Sequence, residues 1–355
     1  MNARIGSLTF ADPTRASFDA AVTEHELRQL AALPAVRTLQ TAAPVPDAVW
    51  SLLNEGFFST RPDVELRVYG YYEHGMECDL GFAARLPNVR HFSADSLMRA
   101  KNVGAIAAMP ALQSLSLGIF EAEEFAVLSQ ITPALTKLGL HATRSRKPRL
   151  DGLARFERLR SLYLEGQSKG IEVISGLRQI EDLSLRSITT DDLSYLAPLA
   201  RLRSLEIKLG GIRSFVGVEG KDSIHYLELW QIRGLDQVNV LAALPGLQNV
   251  FLQNLPKVQR LPALVASSAL RRVVLDDLKG LQDFTSLQEA PALAEFALLS
   301  GDRQQPEQLL PVLRNPAVRS ASAFFGAAAK NRAFAQLRDA HGKREWEPRT
   351  PFEYR

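Results

Sequence analysis

The sequence predicts an α/β repeat solenoid: a right-handed arc with a parallel concave sheet, a thin 3₁₀ or extended convex side and small helical caps. Three observations predict it. A Leu-x-x-Leu-x-Leu unit recurs along most of the chain. Its spacing is almost constant. Between units, apolar residues fall at every third position rather than at helical spacing.

The regular copies begin at Leu112, Leu135, Leu159, Ile180, Leu202, Ile224, Leu247, Leu270 and Leu293, at intervals of 23, 24, 21, 22, 22, 23, 23 and 23 residues. Degenerate copies flank them at Val36, Leu66, Val89 and Val318. A strand alternates its side chains, so two apolar residues of each unit share one face. One short strand cannot bury that face alone, whereas strands stacked in parallel form a continuous core. In the return segments Ile232, Leu235, Val238, Leu241, Leu244 and Leu247 follow a period of three, as do Leu278, Leu281, Phe284, Leu287, Ala290 and Leu293. That period suits 3₁₀ turns or extended backbone.

The ends read as caps, because a solenoid otherwise exposes its core there. Thr23-Glu-His-Glu26 is a capping box opening a helix to about Leu33. Asp47 to Phe58 reads as a second helix, with Trp50, Leu53 and Phe57 on one face. Pro306 to Arg314 and Ala327 to Ala340 read as helices, with Gly342 as a stop and Arg344 to Arg355 as a loose polar tail. The expected organisation is a helical N-terminal cap with a degenerate first repeat (1–62), the solenoid (63–325), and a C-terminal helical cap with its tail (326–355).

These units resemble the leucine-rich-repeat family in its short-repeat, internalin-like bacterial form, over roughly Leu33 to Phe325. The resemblance implies a protein-interaction scaffold without naming a partner. One departure stands out. The family places Asn three residues after the last strand leucine, whereas this chain has Phe120, Thr143, Gln167, Ile188, Gly210, Ile232, Leu255 and Leu278 there. The turn geometry therefore stays open at the level of sequence.

Composition narrows the functional classes. The chain of 355 residues is 46% hydrophobic and carries a net charge of +3, too small for its size to imply nucleic acid or membrane. A single cysteine, Cys78, permits no internal disulfide and suits a reducing, cytoplasmic setting. The N-terminus has no apolar signal core and no apolar run is long enough to span a bilayer. Gly166-Gln-Ser168-Lys-Gly170 matches a nucleophile-elbow pattern, but a repeat turn follows its strand where that motif needs a helix, so Ser168 is not expected to be catalytic. His91 and His141 share a face two repeats apart, too far for one metal. No metal, cofactor or catalytic residue is expected.

Binding is expected on the concave face, where residues between the core leucines point outward. From Ser114 to Gly139 this face is small and polar. It then becomes large and mixed at Tyr163, Glu165, Arg186, Glu206, Lys208, Tyr226, Glu228, Trp230, Phe251 and Gln253. Aromatics among charges are the composition of interface hot spots. Those aromatics could equally pack on one another, and Glu206, Lys208 and Glu228 could neutralise one another. A second aromatic group, Tyr69, Tyr71, Tyr72 and His74 before Gly75, falls in a longer repeat and reads as cap or site. The expected function is an intracellular scaffold for a protein partner, with no catalysis. The alternatives are a nucleic-acid-associated protein using the basic loop Arg144-Ser-Arg-Lys-Pro-Arg149, or a secreted effector or immunity-type protein that binds a toxin or host enzyme.

Overall fold

The computed structural model describes residues 4–70, 77–145, 148–232, 234–348 and 351–355. Two compact units divide the chain at Gln179 and Ile180, and each is described by itself.

The first unit opens with three short strands: β1 (Arg4–Ile5), β2 (Leu8–Asp12) and β3 (Arg15–Ser17). They pair antiparallel, and β3 then starts the parallel ladder. Sequence spacing marks only helices in this cap, so the strands are an addition to expectation. Alternation in Leu8-x-Phe10 and Ala16-x-Phe18 around the Asp12-Pro13-Thr14 turn was the available strand signal. Helix α1 (Glu24–Ala31) carries the full capping box expected at Thr23. Its Glu26 side chain also accepts from the Ser7 amide at 2.5 Å, tying the hairpin to the helix. Helix α2 (Asp47–Leu53) continues through a wider π-turn at Asn54–Phe58. The unit's sheet continues in parallel through β4 (Thr38–Thr41), β5 (Glu65–Tyr69), β7 (His91–Leu97), β9 (Ser114–Ile119), β10 (Lys137–Leu140) and β11 (Ser161–Glu165). A separate pair, β6 (Cys78–Asp79) and β8 (Ala100–Lys101), runs beside it.

The second unit is a seven-stranded parallel ladder: β12 (Asp182–Arg186), β13 (Ser204–Lys208), β14 (Tyr226–Trp230), β15 (Asn249–Gln253), β16 (Arg272–Asp276), β17 (Glu295–Leu298) and β18 (Ser320–Ala323). Register aligns the repeats residue for residue. Leu183, Leu205, Leu227, Val250, Val273, Phe296 and Ala321 form one buried row, and Leu185, Ile207, Leu229, Leu252, Leu275 and Leu298 the other, which ends at the half-buried Ala323. Return segments are short, as the period of three requires. They are 3₁₀ turns at Ser194–Leu196, Thr285–Leu287 and Pro306–Leu309, with brief helices α3 (Val240–Ala243) and α4 (Leu310–Arg314). Helix α5 (Ala328–Ala340) covers the last repeat by packing Phe334 on Phe325, and Gly342 follows it at φ +67°.

The missing asparagines have a structural answer. In this unit the residue directly after five consecutive strands is left-handed: Ser187, Leu209, Gln231, Asn254 and Asp277, with φ between 48° and 57°. At the first four the amide stays in the ladder, donating to the next repeat at 2.8–2.9 Å (Ser187 to Lys208, Leu209 to Trp230, Gln231 to Gln253, Asn254 to Asp276). Main chain thus satisfies the turn that an asparagine side chain satisfies elsewhere. The kink drops the following residue back into the core, so Ile188, Ile232, Leu255 and Leu278 are buried. A left-handed non-glycine residue costs roughly 1–2 kcal/mol, which the burial of the aliphatic side chain that follows, about 2 kcal/mol, offsets at four of the five turns; Leu209 is followed instead by Gly210.

The C-terminal segment differs from expectation. Arg344 adds a bridge beyond β18: its amide donates to the Arg319 carbonyl and its carbonyl accepts from Ala321, both at 2.9 Å. Trp346 is only 9% exposed. The described parts of the tail, residues 344–348 and 351–355, are therefore docked rather than loose, because their aromatic residues find apolar and cationic partners on the sheet.

Candidate site on the open face of the sheet

Strand alternation sends three columns of each sheet away from the core. In the second unit the middle column reads Ser184, Glu206, Glu228, Phe251, Val274, Ala297 and Ser322. The column after it begins Arg186, Lys208, Trp230, Gln253 and Asp276. The column before it holds Asp182, Ser204, Tyr226, Asn249, Arg272, Glu295 and Ser320.

Eight of the ten expected partner-binding residues stand here, on β12–β15. Lys208 bridges two strands: its Nζ lies 2.9 Å from Glu206 and 3.1 Å from Glu228. Burial works against the charged ammonium, but the two carboxylates outweigh it, so the Lys208 pKa lies above its ordinary value. Trp230 is half-buried, with the Arg186 guanidinium 5.2 Å and the Lys208 ammonium 6.0 Å from its ring. Tyr226 donates to Glu228 at 3.0 Å. Burial first, then the neighbouring glutamates, push its phenol far above the usual range, so it remains a neutral donor. Gln253 donates to Asp276 at 2.8 Å. Phe251 is half-buried and packs against the cluster of Val274, Ala297 and Trp346.

The expected mutual neutralisation of Glu206, Lys208 and Glu228 is therefore present, and it has a measurable consequence. Glu206 and Glu228 are direct cross-strand neighbours. Lys208→Met leaves two like charges opposed and should lower stability by roughly 1–2 kcal/mol at neutral pH. The difference from wild type should shrink as the solution is acidified, because neutralising either carboxylate removes both the repulsion in the variant and the attraction to Lys208 in wild type. Denaturant melts at pH 7 and pH 4 measure this; a constant difference contradicts it.

Tyr163 and Glu165 stand on β11 of the first unit. Tyr163 donates to Glu165 at 3.0 Å, and the His141 ring lies 5.0 Å from the Tyr163 ring. His141 Nε2 is 2.9 Å from Ser116 Oγ, and Nδ1 is 3.7 Å from Glu165. A depression of about 470 Å³ opens among Ser93, Ser116 and Gly139, walled by Arg67, Asp95 and His141. Arg67 and Asp95 form a two-pronged ion pair at 2.8–3.1 Å, with the guanidinium 4.3 Å from the Tyr69 ring. Desolvation holds the His141 pKa below its ordinary value, while Glu165 pulls it upward. His141 should therefore titrate below 6.5 by NMR, and Glu165→Gln should lower it further. A rise in that variant would contradict the assigned roles.

Tyr71, Tyr72, His74 and Gly75 lie outside the described residues, as do Arg146 and Lys147 of the basic loop. In that loop Arg144 is 3.7 Å from Glu121 and Arg149 is 2.6 Å from Asp151. Ser168 is exposed in the turn after β11, followed by a 3₁₀ turn at Ile171–Gly176. No group of three His, Cys, Asp or Glu side chains that could hold a metal occurs among the described residues. Among the same residues no helix is long and apolar enough to cross a membrane.

Repeats of this length, stacked as a parallel ladder with 3₁₀ returns, define a leucine-rich-repeat solenoid. Solved structures agree. The chain superimposes on an internalin of Listeria monocytogenes with a TM-score of 0.53 at 16% identity, covering 84% of this chain and 88% of that one. It matches Toll from the Toll–Spätzle complex of Drosophila with a TM-score of 0.54 at 14% identity, covering 89% of this chain and 51% of that one. For the TLR13–ssRNA13 complex the TM-score is 0.53 at 14% identity, covering 86% of this chain and 46% of that one. The chain thus spans about half the length of the last two. At such identities the likeness is one of fold. No protein-family model matches the chain, and no curated protein does.

Proposed function

We propose that this protein is a non-catalytic binding scaffold for another protein, and that the contact centres on Trp230. The observation that carries this reading is the β13–β14 surface. A half-exposed indole is braced by two cations, and a tyrosine is locked to a glutamate beside it. None of these side chains belongs to the leucine core. Rigid aromatics framed by charge lose little entropy on binding, and tryptophan, tyrosine and arginine dominate interface hot spots. Arg186, Glu206, Lys208 and Glu228 would fix register through charge complementarity. The buried thiol of Cys78 is compatible with the reducing, cytoplasmic setting included in this proposal.

Among proteins of the same fold, Toll is seen with Spätzle and TLR13 with a single-stranded RNA. Protein is the favoured ligand here because carboxylates interleave the aromatics, and Arg144 and Arg149 each face an acidic side chain. The test is affinity capture from the source organism's lysate, comparing wild type with Tyr226→Ala/Trp230→Ala at matched thermal stability. The captured protein is then purified and titrated against both forms. A protein held by wild type and lost by the variant supports the reading. Capture of nucleic acid with a steep salt dependence, or equal capture of a protein by both forms, overturns it.

A further inference from the structure

The open face of the second unit changes character along the ladder. Its middle column is polar at Ser184, Glu206 and Glu228, then apolar at Phe251, Val274 and Ala297. An apolar sheet face is unstable in water unless something covers it. The chain's own C-terminal segment does so. Trp346 seats its ring on Val274 and Ala297, with Phe251 beside it. The indole N–H donates to Glu295 at 3.2 Å, and the Arg272 guanidinium, itself bonded to Glu295, lies 5.8 Å from the ring. Further on, Phe352 sits 4.7 Å from the Arg271 guanidinium and 4.9 Å from that of Arg272.

Many of the polar contacts read the segment's backbone. Ser322 Oγ accepts from the Trp346 amide at 3.1 Å and donates to its carbonyl at 3.2 Å. Gln248 grips the main chain of Arg355 through both ends of its amide, at 2.7 and 2.9 Å. Arg271 donates to the Glu353 carbonyl. Such contacts recognise an extended chain of any sequence, so specificity falls to the aromatic anchors. Among the described residues of the segment Trp346 alone is buried, whereas Glu345, Glu347, Pro348, Glu353 and Tyr354 are exposed. Beside the covered patch, Leu299 and Phe324 remain 36% and 57% exposed, immediately after β17 and β18. An incoming segment therefore has apolar surface to land on before the resident one leaves.

We propose that β15–β18 form a groove for an extended peptide with an aromatic anchor, that residues 344–348 and 351–355 are its resident intramolecular ligand, and that a partner segment of the same chemistry displaces them. This inference concerns β15–β18 rather than Trp230, although the Tyr354 ring lies 6.4 Å from that of His225 beside β14; its test is a peptide titration that does not depend on a partner at Trp230. Tethering supplies the resident segment at an effective concentration on the order of millimolar, so it blocks a competitor of similar intrinsic affinity.

The test uses a fluorescent synthetic peptide of residues 343–355, titrated by anisotropy into full-length proteins. Trp346→Ala/Phe352→Ala, with its resident anchors removed, should bind the peptide roughly tenfold or more tightly than wild type does. A Phe352→Ala/Tyr354→Ala variant, which keeps the buried Trp346 anchor, should fall between them and covers the case in which the first variant fails to fold. A peptide with alanine in place of its tryptophan should bind the unblocked variants roughly tenfold or more weakly. Equal binding of the peptide by wild type and both variants, no binding by either variant, or equal binding of the two peptides would overturn the proposal.

Discussion

Replacing Tyr226 and Trp230 together by alanine is expected to weaken partner binding by two to three orders of magnitude while leaving the solenoid folded. Each residue is placed as a hot spot, and truncating one costs about 2 kcal/mol, roughly a thirtyfold loss. Both side chains stand outside the leucine rows, so their removal opens no cavity in the core. The loss should appear mainly as faster dissociation, because docking a rigid surface varies little in its on-rate. Lys208 provides the contrast. Its removal disturbs Glu206 and Glu228 and should reduce stability as well as binding, whereas the aromatic pair should reduce binding alone. Calorimetry or interferometry with the captured partner distinguishes these outcomes.

The second large effect is on the fold. Gly246 lies in the turn before β15, where a Cβ would stand 1.7 Å from the Asp222 carbonyl oxygen and 2.7 Å from its carbon. Both are backbone atoms of the preceding repeat, so no side chain can swing aside. Gly246→Ala must push two repeats apart, and a clash of this kind costs about 3 kcal/mol. Gly176 is the control, because a Cβ added there would meet nothing within 4 Å. Its alanine variant should stay within about 0.5 kcal/mol of wild type. Urea midpoints of the two variants measure the difference, and similar values would contradict the register of the ladder at Asp222.

Much of this was legible in the sequence because repeat proteins make local contacts. A leucine at one position meets its counterpart some 22 residues away, and periodicity reports that relation directly. Strand register, the outward columns, the 3₁₀ returns and the Thr23 capping box all follow from spacing and side-chain chemistry. The turn after each strand did not. Its left-handed residue is as varied as Ser187, Leu209 and Gln231, so no residue type announces it. The N-terminal strands carried a signal, Leu8-x-Phe10 and Ala16-x-Phe18, masked by the stronger helix pattern that follows. At the candidate site, sequence placed the charges and aromatics in the correct columns. It could not place Trp346 on Val274 and Ala297, because that contact obeys no repeat. Trp346 reaches Glu295 across 51 residues and Arg355 reaches Gln248 across 107. Arg, Glu and Pro dominate the segment and mask the signal of its aromatics Trp346, Phe352 and Tyr354.

The most direct test of binding on the open face is site-specific photocrosslinking in native lysate. A benzophenone amino acid is introduced singly at Ser184 or Ser204, both on the open face of the second unit, or at Val265, exposed in the return segment between β15 and β16. One shared protein adduct is expected from Ser184 and Ser204, absent from Val265 and lost when Tyr226→Ala/Trp230→Ala is added. The same adduct from Val265, or its persistence in the double variant, would contradict binding on the open face around Trp230.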